Sequence, residues 1–370
     1  MIYLDHNATT PLDPVVLEAM SPWLTGPCAN PHSAHPLGLL AEGALVEARA
    51  QVAAALGAEP AELVFTSGGT ESLNHALRGL FEGRTTRRRV VASAVEHSAV
   101  MAVLRWLQGQ GVEVVLVPVR ASGVLDLDAL DAALTMETAL VSVMLANNET
   151  GVLQPVPEVA ALARSRGVLV HTDAVQALGR VPVDIRALGV DLLSFSGHKL
   201  QGPKGTGGLF IRRGIRLKPL VLGGEQERGR RGGTENVPGI VGLGRACALA
   251  VERLPRVGGL AELRDRLEAG LLHHGRGAVV HGADAPRLPN TSLVSFPGRD
   301  GEALLLGLGQ RGICVSVGSA CTTGQREPSH VLRAMQVPDG LGRGTLRFSL
   351  GWGNTAEEVD ATLQALETLL

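Results

Sequence analysis

The sequence predicts an α/β protein of two domains, a large one built on a mostly parallel sheet flanked by helices and a smaller α+β one. Three observations predict it. Short apolar runs alternate with amphipathic stretches from about residue 40 to about residue 255. The texture changes after that point. A chain of 370 residues also exceeds what one ordinary hydrophobic core organises.

Taken in order, the expected strands are Leu63–Phe65, Val90–Ser93, Val112–Val117, Leu140–Leu145, Leu169–His171, Leu192–Ser194 and Gly208–Ile211. Helical periodicity lies between them at Glu71–Leu80, Ser98–Gln108 and Pro157–Ser165. Strand, helix and strand joined by short loops imply parallel neighbours covered on both faces. Beyond residue 255 come a helix at Leu260–Leu272, a strand at Ser292–Phe296, a helix at Glu302–Leu308, then strands at Cys314–Val317 and Thr345–Leu350. The last helix opens on Thr355-Ala356-Glu357-Glu358, a capping box in which Thr and Glu satisfy each other's free backbone N–H groups. The division expected is 15–255 for the large domain, with 1–14 and 256–370 forming the small one.

Composition excludes several classes. Hydrophobic residues make up 45% and charged residues 19%, a globular balance. Lys and Arg number 34 against 36 Asp and Glu, so no bulk field draws nucleic acid or a membrane surface. The basic run Arg84, Arg87, Arg88 and Arg89 reads as a solvated face. No stretch approaches the ~20 apolar residues of a membrane span, and the first residues lack a signal peptide's pattern, so a cytoplasmic protein is expected. Cys28, Cys247, Cys314 and Cys321 show neither C-x-x-C nor zinc spacing, so they matter, if at all, as thiols.

Parallel sheets bind ligands at the carboxyl ends of their strands, so polar residues there are the candidates. Lys199, in Ser196-Gly197-His198-Lys199, is either a surface lysine or a Schiff-base lysine beside phosphate donors Ser196 and His198. Asp173 either caps a helix or pairs with a protonated pyridine nitrogen. Ser67-Gly68-Gly69-Thr70 opens a helix and suits an anion, but lacks P-loop and dinucleotide spacing. His97 is a structural histidine or one that stacks on a ring and moves protons, and Asn147-Asn148-Glu149 adds another polar strand end. Singly these signals are weak; five strand ends together are hard to explain by packing.

The ordered set resembles the cysteine desulfurases of the NifS/IscS type, in the class V aminotransferase group of fold-type-I pyridoxal-phosphate (PLP) enzymes. It runs through Tyr3-Leu4-Asp5 with Ala8-Thr9-Thr10, Asn30-Pro31, Ser67-Gly68-Gly69-Thr70-Glu71-Ser72, Glu96-His97, Asn147-Asn148-Glu149-Thr150-Gly151, Asp173-Ala174-Val175-Gln176 and Ser196-Gly197-His198-Lys199. Arg231-Gly232-Gly233-Thr234, Gly318-Ser319-Ala320-Cys321 and Arg347-Phe348-Ser349-Leu350-Gly351 follow. The pattern departs from the commonest one at His6, at Gly223–Glu227 and at Gly351–Asn354.

The resemblance implies PLP as cofactor, carried by Lys199, which also moves the substrate's Cα proton. It implies Asp173 on the pyridine nitrogen, His97 on the ring, and Gln176 and Asn148 on the cofactor's face or phenolic oxygen. Gly69, Thr70, Ser196 and His198 would hold the phosphate, with Thr234 supplied by the second subunit of a homodimer. Arg347, helped by Asn148 and Asn30, would take the carboxylate of L-cysteine, as a guanidinium clamps such a group. Cys321, in a loop of small residues, would hold the sulfur as a persulfide for an acceptor protein, a scaffold for iron–sulfur clusters or a tRNA-thiolation enzyme. Cys314, inside an apolar strand, reads as the structural cysteine. A selenocysteine lyase or aminotransferase of the same fold, or a non-catalytic sulfur-relay protein, are the rival readings.

Overall fold

The computed structural model describes residues 1–26, 29–83, 85–275, 277–317 and 328–370. Its main sheet has seven strands, in the spatial order Leu63–Thr66, Gly207–Ile211, Leu192–Ser196, Leu169–Asp173, Thr138–Ser142, Arg89–Ser93 and Glu113–Val117. Only Gly207–Ile211 runs against its neighbours. The other six point the same way, so their carboxyl ends share one edge of the sheet.

The apolar strand runs bury both faces because successive side chains point to opposite sides. Val64, Val90, Ala92, Leu140, Leu192 and Leu209 meet Leu73 and Leu77 of helix Gly69–Phe81 and Leu104 of helix Ser98–Gly109. Their alternates Phe65, Val91, Val141, Leu193 and Phe210 face a second layer formed by helices Pro36–Leu56, Val156–Ser165 and Val237–Arg253. The first and last of these three helices lie outside the periodic stretches expected from sequence; Pro36–Leu56, rich in alanine, is only weakly two-faced.

A separate core forms around an antiparallel sheet of Ser316–Val317, Thr345–Ser349, Thr291–Ser295 and Val279–Val280. Helices Gly258–His274, Gly301–Gly309 and Ala356–Glu367 cover it. Leu4 belongs to this core, and Ile2–Tyr3 pairs in parallel with Ile313–Cys314. Thr355 and Glu358 make the expected capping box.

Four local expectations need correction. The strand expected to reach Leu145 ends at Ser142, after which Asn147 and its neighbours turn the chain on side-chain hydrogen bonds. Cys314–Val317 is two short strands in two different sheets. Cys314 itself is only half-buried, whereas Cys247 is fully buried and burial pushes its thiol up to about 12. The basic run is not a free solvated face: Arg87 donates to Thr138 O and Gly167 O, Arg88 to Phe81 O and Gln110 O, and Arg89 pairs with Glu113. Strand and helix ends leave carbonyls unpaired, and these guanidinium groups satisfy some of them. Arg84 lies outside the described residues.

Candidate active site

The site sits at the shared carboxyl edge. Asp173 is the last residue of its strand, opposite Ser194 of the neighbouring one, and Lys199 follows that neighbour after a single 3-10 turn. Lys199 and Asp173 therefore stand on the same end of the sheet. The Lys199 amine donates to Asn7 O at 2.5 Å and Ala8 O at 2.7 Å. Burial, aided by the charges of Arg180 and Arg347, lowers it to about 7. Burial raises the Asp173 carboxyl to about 6, against the Val175 N–H that Oδ1 accepts at 2.9 Å and the attraction of Lys199.

His97 caps helix Ser98–Gly109, its Nδ1 accepting from Ala99 N at 3.2 Å. Burial and the nearby Lys199 and His330 lower it to about 4, so it is neutral near pH 7. The preceding Glu96 is fully buried, accepts from Met144 N at 2.7 Å and is held well above the usual carboxylate range, first by burial.

Next along the edge, Gly68 adopts φ +150° and opens helix Gly69–Phe81. Only glycine takes that conformation without strain. A Cβ on Gly207 would come within 2.7 Å of Gly68 Cα, so the antiparallel strand needs glycine at that position for the loop to pass. Buried Ser196 lies against both Gly68 and Gly69. Thr70 is exposed at the helix start. His198 shares a hydrogen bond of 3.0 Å with Thr9, and burial lowers it to about 4.

Arg347 comes from the other sheet. Its side chain is buried, with Nη2 on Asp5 at 2.7 Å and Nη1 donating to Asn148 O at 3.1 Å. Gln176 donates to Asn7 O at 3.0 Å and accepts from Arg180. Two expected residues stand apart from this group. Asn30 is exposed, accepting from His32 N in a turn tied to Glu235. Thr234 is exposed and, within this chain, lines a cavity with Ser67 and Thr206. Cys321 lies outside the described residues.

Sequence reasoning passed over Arg180, Asn7 and Asp5. Arg180 is buried and donates to Gln176 O, His6 O and Lys199 O. Its one signal was an arginine within a run of apolar and small residues, Ala174–Val183, that cannot easily bury a charge.

Half-buried Lys199 thus lies within reach of the charges of buried Arg180 and Arg347 and of the carboxylates Asp5 and Asp173, and Arg347 pairs with Asp5. Such a cluster suits an anionic ligand, and the helix start at Gly68 adds free N–H groups and the positive dipole end. Buried Asp173, whose carboxyl is raised only to about 6, still presents a carboxylate at neutral pH that could pair with a protonated ring nitrogen. The residues fit PLP, and fold and site together define an enzyme of the pyridoxal-phosphate class.

Residues 2–362 match the family described as Aminotransferase class-V. Cysteine desulfurase 2 of Trichormus variabilis is 48% identical over 370 residues, covering 100% of this chain and 93% of that protein. Cysteine desulfurase IscS of Methanosarcina thermophila is 46% identical over 373 residues, covering 100% and 92%. Among solved structures, a NifS-like protein superposes with a TM-score of 0.93 at 41% identity, covering 100% of this chain and 98% of that one. The chain belongs to the class-V aminotransferase family, and within it to the PLP-dependent cysteine desulfurases of the NifS/IscS type.

Proposed function

We propose that this enzyme converts L-cysteine to L-alanine and carries the removed sulfur as a persulfide on Cys321. The observation that carries this is the anchoring of both ends of the Cys321 segment at the active site. On one side Ser316 pairs with Arg347 across neighbouring strands. On the other, His330 Nε2 lies 2.8 Å from Glu96 O, next to His97.

When bound, PLP supplies an electron sink beside the substrate's Cα. Gly69, Thr70, Ser196 and His198 would hold its phosphate, Asp173 would pair with its ring nitrogen, and Lys199 would carry it. His97, Gln176 and Asn148 would contact the ring. Lys199, lowered to about 7, is partly neutral at physiological pH and so can take the Cα proton and return it. Arg347 binds the substrate's carboxylate, with Asn148 beside it. The Cys321 thiolate attacks the substrate sulfur: an S–S bond forms and the substrate's Cβ–S bond breaks. The carbon left with the electron pair takes up a proton, giving L-alanine.

The finer readings belong with this one. The chain is a homodimer in which Thr234 reaches the partner's phosphate site, consistent with its exposure in its own subunit. The persulfide passes to an acceptor protein serving iron–sulfur cluster assembly or tRNA thiolation. Among the described residues no helix is long and apolar enough to cross a membrane, which accords with a cytoplasmic enzyme. Leu4 in the small core supports grouping 1–14 with 256–370.

The test is to incubate holoenzyme with L-cysteine and follow alanine, sulfide and the mass of the Cys321 peptide. One added sulfur on that peptide is expected, and Cys321→Ser should abolish sulfur release while leaving Lys199-dependent Cα hydrogen exchange. Sulfur gained on another cysteine instead would refute the assignment, and full sulfur release by Cys321→Ser would favour a lyase that needs no cysteine carrier.

A further inference from the structure

The N-terminal segment crosses the active site, and the roles assigned above leave its side chains unused. Ser349 N donates to Leu4 O at 2.8 Å, His6 N to Ser349 O at 3.1 Å, and Asn7 N to Ser349 Oγ at 2.9 Å. Asp5 itself bridges to Ser349. This register sets Asp5 beside Arg347 on the adjoining strand, where they pair at 2.7 Å with side chains 19% and 3% exposed.

A guanidinium offers five N–H donors in one plane. Here Asp5 takes Nη2 and Asn148 O takes Nη1, while Nε is buried with no partner among the described residues. Two fixed acceptors on different elements define the plane of the group, and donors remain for another anion. The same stretch reaches the opposite side of the site, where Asn7 O and Ala8 O receive the Lys199 amine. Asn7 is further pinned by its side chain, which donates to Thr291 Oγ1 at 2.9 Å. One short segment therefore touches both the amine at the edge of the large sheet and the arginine of the small one.

The geometry points to Asp5 as a positioning residue for substrate recognition. It holds the Arg347 guanidinium as a rigid, charge-balanced receptor for the substrate carboxylate, and its strand sets where that receptor stands relative to Lys199. The inference rests on Arg347 being the group that takes the carboxylate. Without Asp5, Arg347 would lose the carboxylate that bonds it, keeping only the attraction of buried Glu149, and would be free to turn towards other acceptors.

The experiment compares wild-type, Asp5→Asn, Asp5→Glu and Arg347→Lys holoenzymes. Asp5→Asn keeps the shape and removes the charge. The KM for L-cysteine should rise about tenfold or more, the scale of losing a charged hydrogen bond, with a much smaller change in kcat. Inhibition by 3-mercaptopropionate, which has the carboxylate but no amine, should weaken in step. Inhibition by cysteamine, which has the amine but no carboxylate, should hold, and Asp5→Glu should recover part of the loss. A KM unchanged in Asp5→Asn, or equal weakening of both inhibitors, overturns the proposal. Arg347→Lys separates the two readings: if its KM is unchanged, the carboxylate role of Arg347 fails as well. If its KM rises while that of Asp5→Asn does not, only the role of Asp5 fails.

Discussion

Lys199 shows how one residue's surroundings set its chemistry. Burial first, then Arg180 and Arg347, bring its amine from 10.5 to about 7, so the folded chain binds that proton less readily than the unfolded chain does. The fold bears this cost below about pH 7 and sheds it as pH rises from about 7 towards 10.5. Asp173 has the opposite sign. Raised from 3.8 to about 6, it holds its proton more readily when folded, and its contribution falls as pH rises through that window. Lys199→Met should accordingly stabilise the apoprotein at pH 7, and the gain should vanish near pH 10.5. Urea unfolding at the two pH values checks this; equal gains at both would mean that the amine is not depressed. PLP uptake by wild-type apoprotein should accelerate as pH passes about 7, since the neutral amine is the reactive form.

At the scale of elements, the loop before helix Gly69–Phe81 is where backbone conformation serves the site most directly. A Cβ on Gly68 would find room, its nearest contact being Ser196 Oγ at 3.7 Å, so the cost of a side chain there is conformational. Gly68→Ala should lose about 1–3 kcal/mol of stability through its φ of +150° and weaken PLP binding, measured by thermal melting and by titration. A variant with unchanged affinity would mean that this loop does not hold the phosphate. The last helix gives the contrasting case. Thr355→Ala should cost about 0.5–2 kcal/mol by removing the cap, with turnover intact, because this helix packs only in the small core.

For the molecule as a whole, the site is built where two cores meet: Lys199 and Asp173 come from one sheet and Arg347 from another. A ligand that binds only the folded state stabilises it by mass action, so PLP at about a thousand times its Kd should add about 4 kcal/mol. Lys199→Ala, lacking the amine proposed to carry the cofactor, should show a smaller gain. Melting with and without PLP measures both, and equal gains would mean that the lysine adds nothing to cofactor retention.

Much of this was legible in the sequence, because strand runs and the polar residues that end them are local patterns. Lys199, Asp173 and His97 each follow or close an apolar run, and parallel crossovers leave such ends on one edge whatever the rest of the chain does. The alanine-rich helix at Pro36–Leu56 was not legible, since close packing against the sheet uses small residues and weakens the two-faced pattern. Nor were Asp5 and Asn7, whose partners Arg347 and Lys199 are remote in the chain. By itself, then, the sequence determined the sheet's edge, the polar residues gathered there and the chemistry they suit. Only the tertiary structure decided which charges face one another, because pairing across two sheets depends on how two cores pack, and no local pattern of residues encodes that distance.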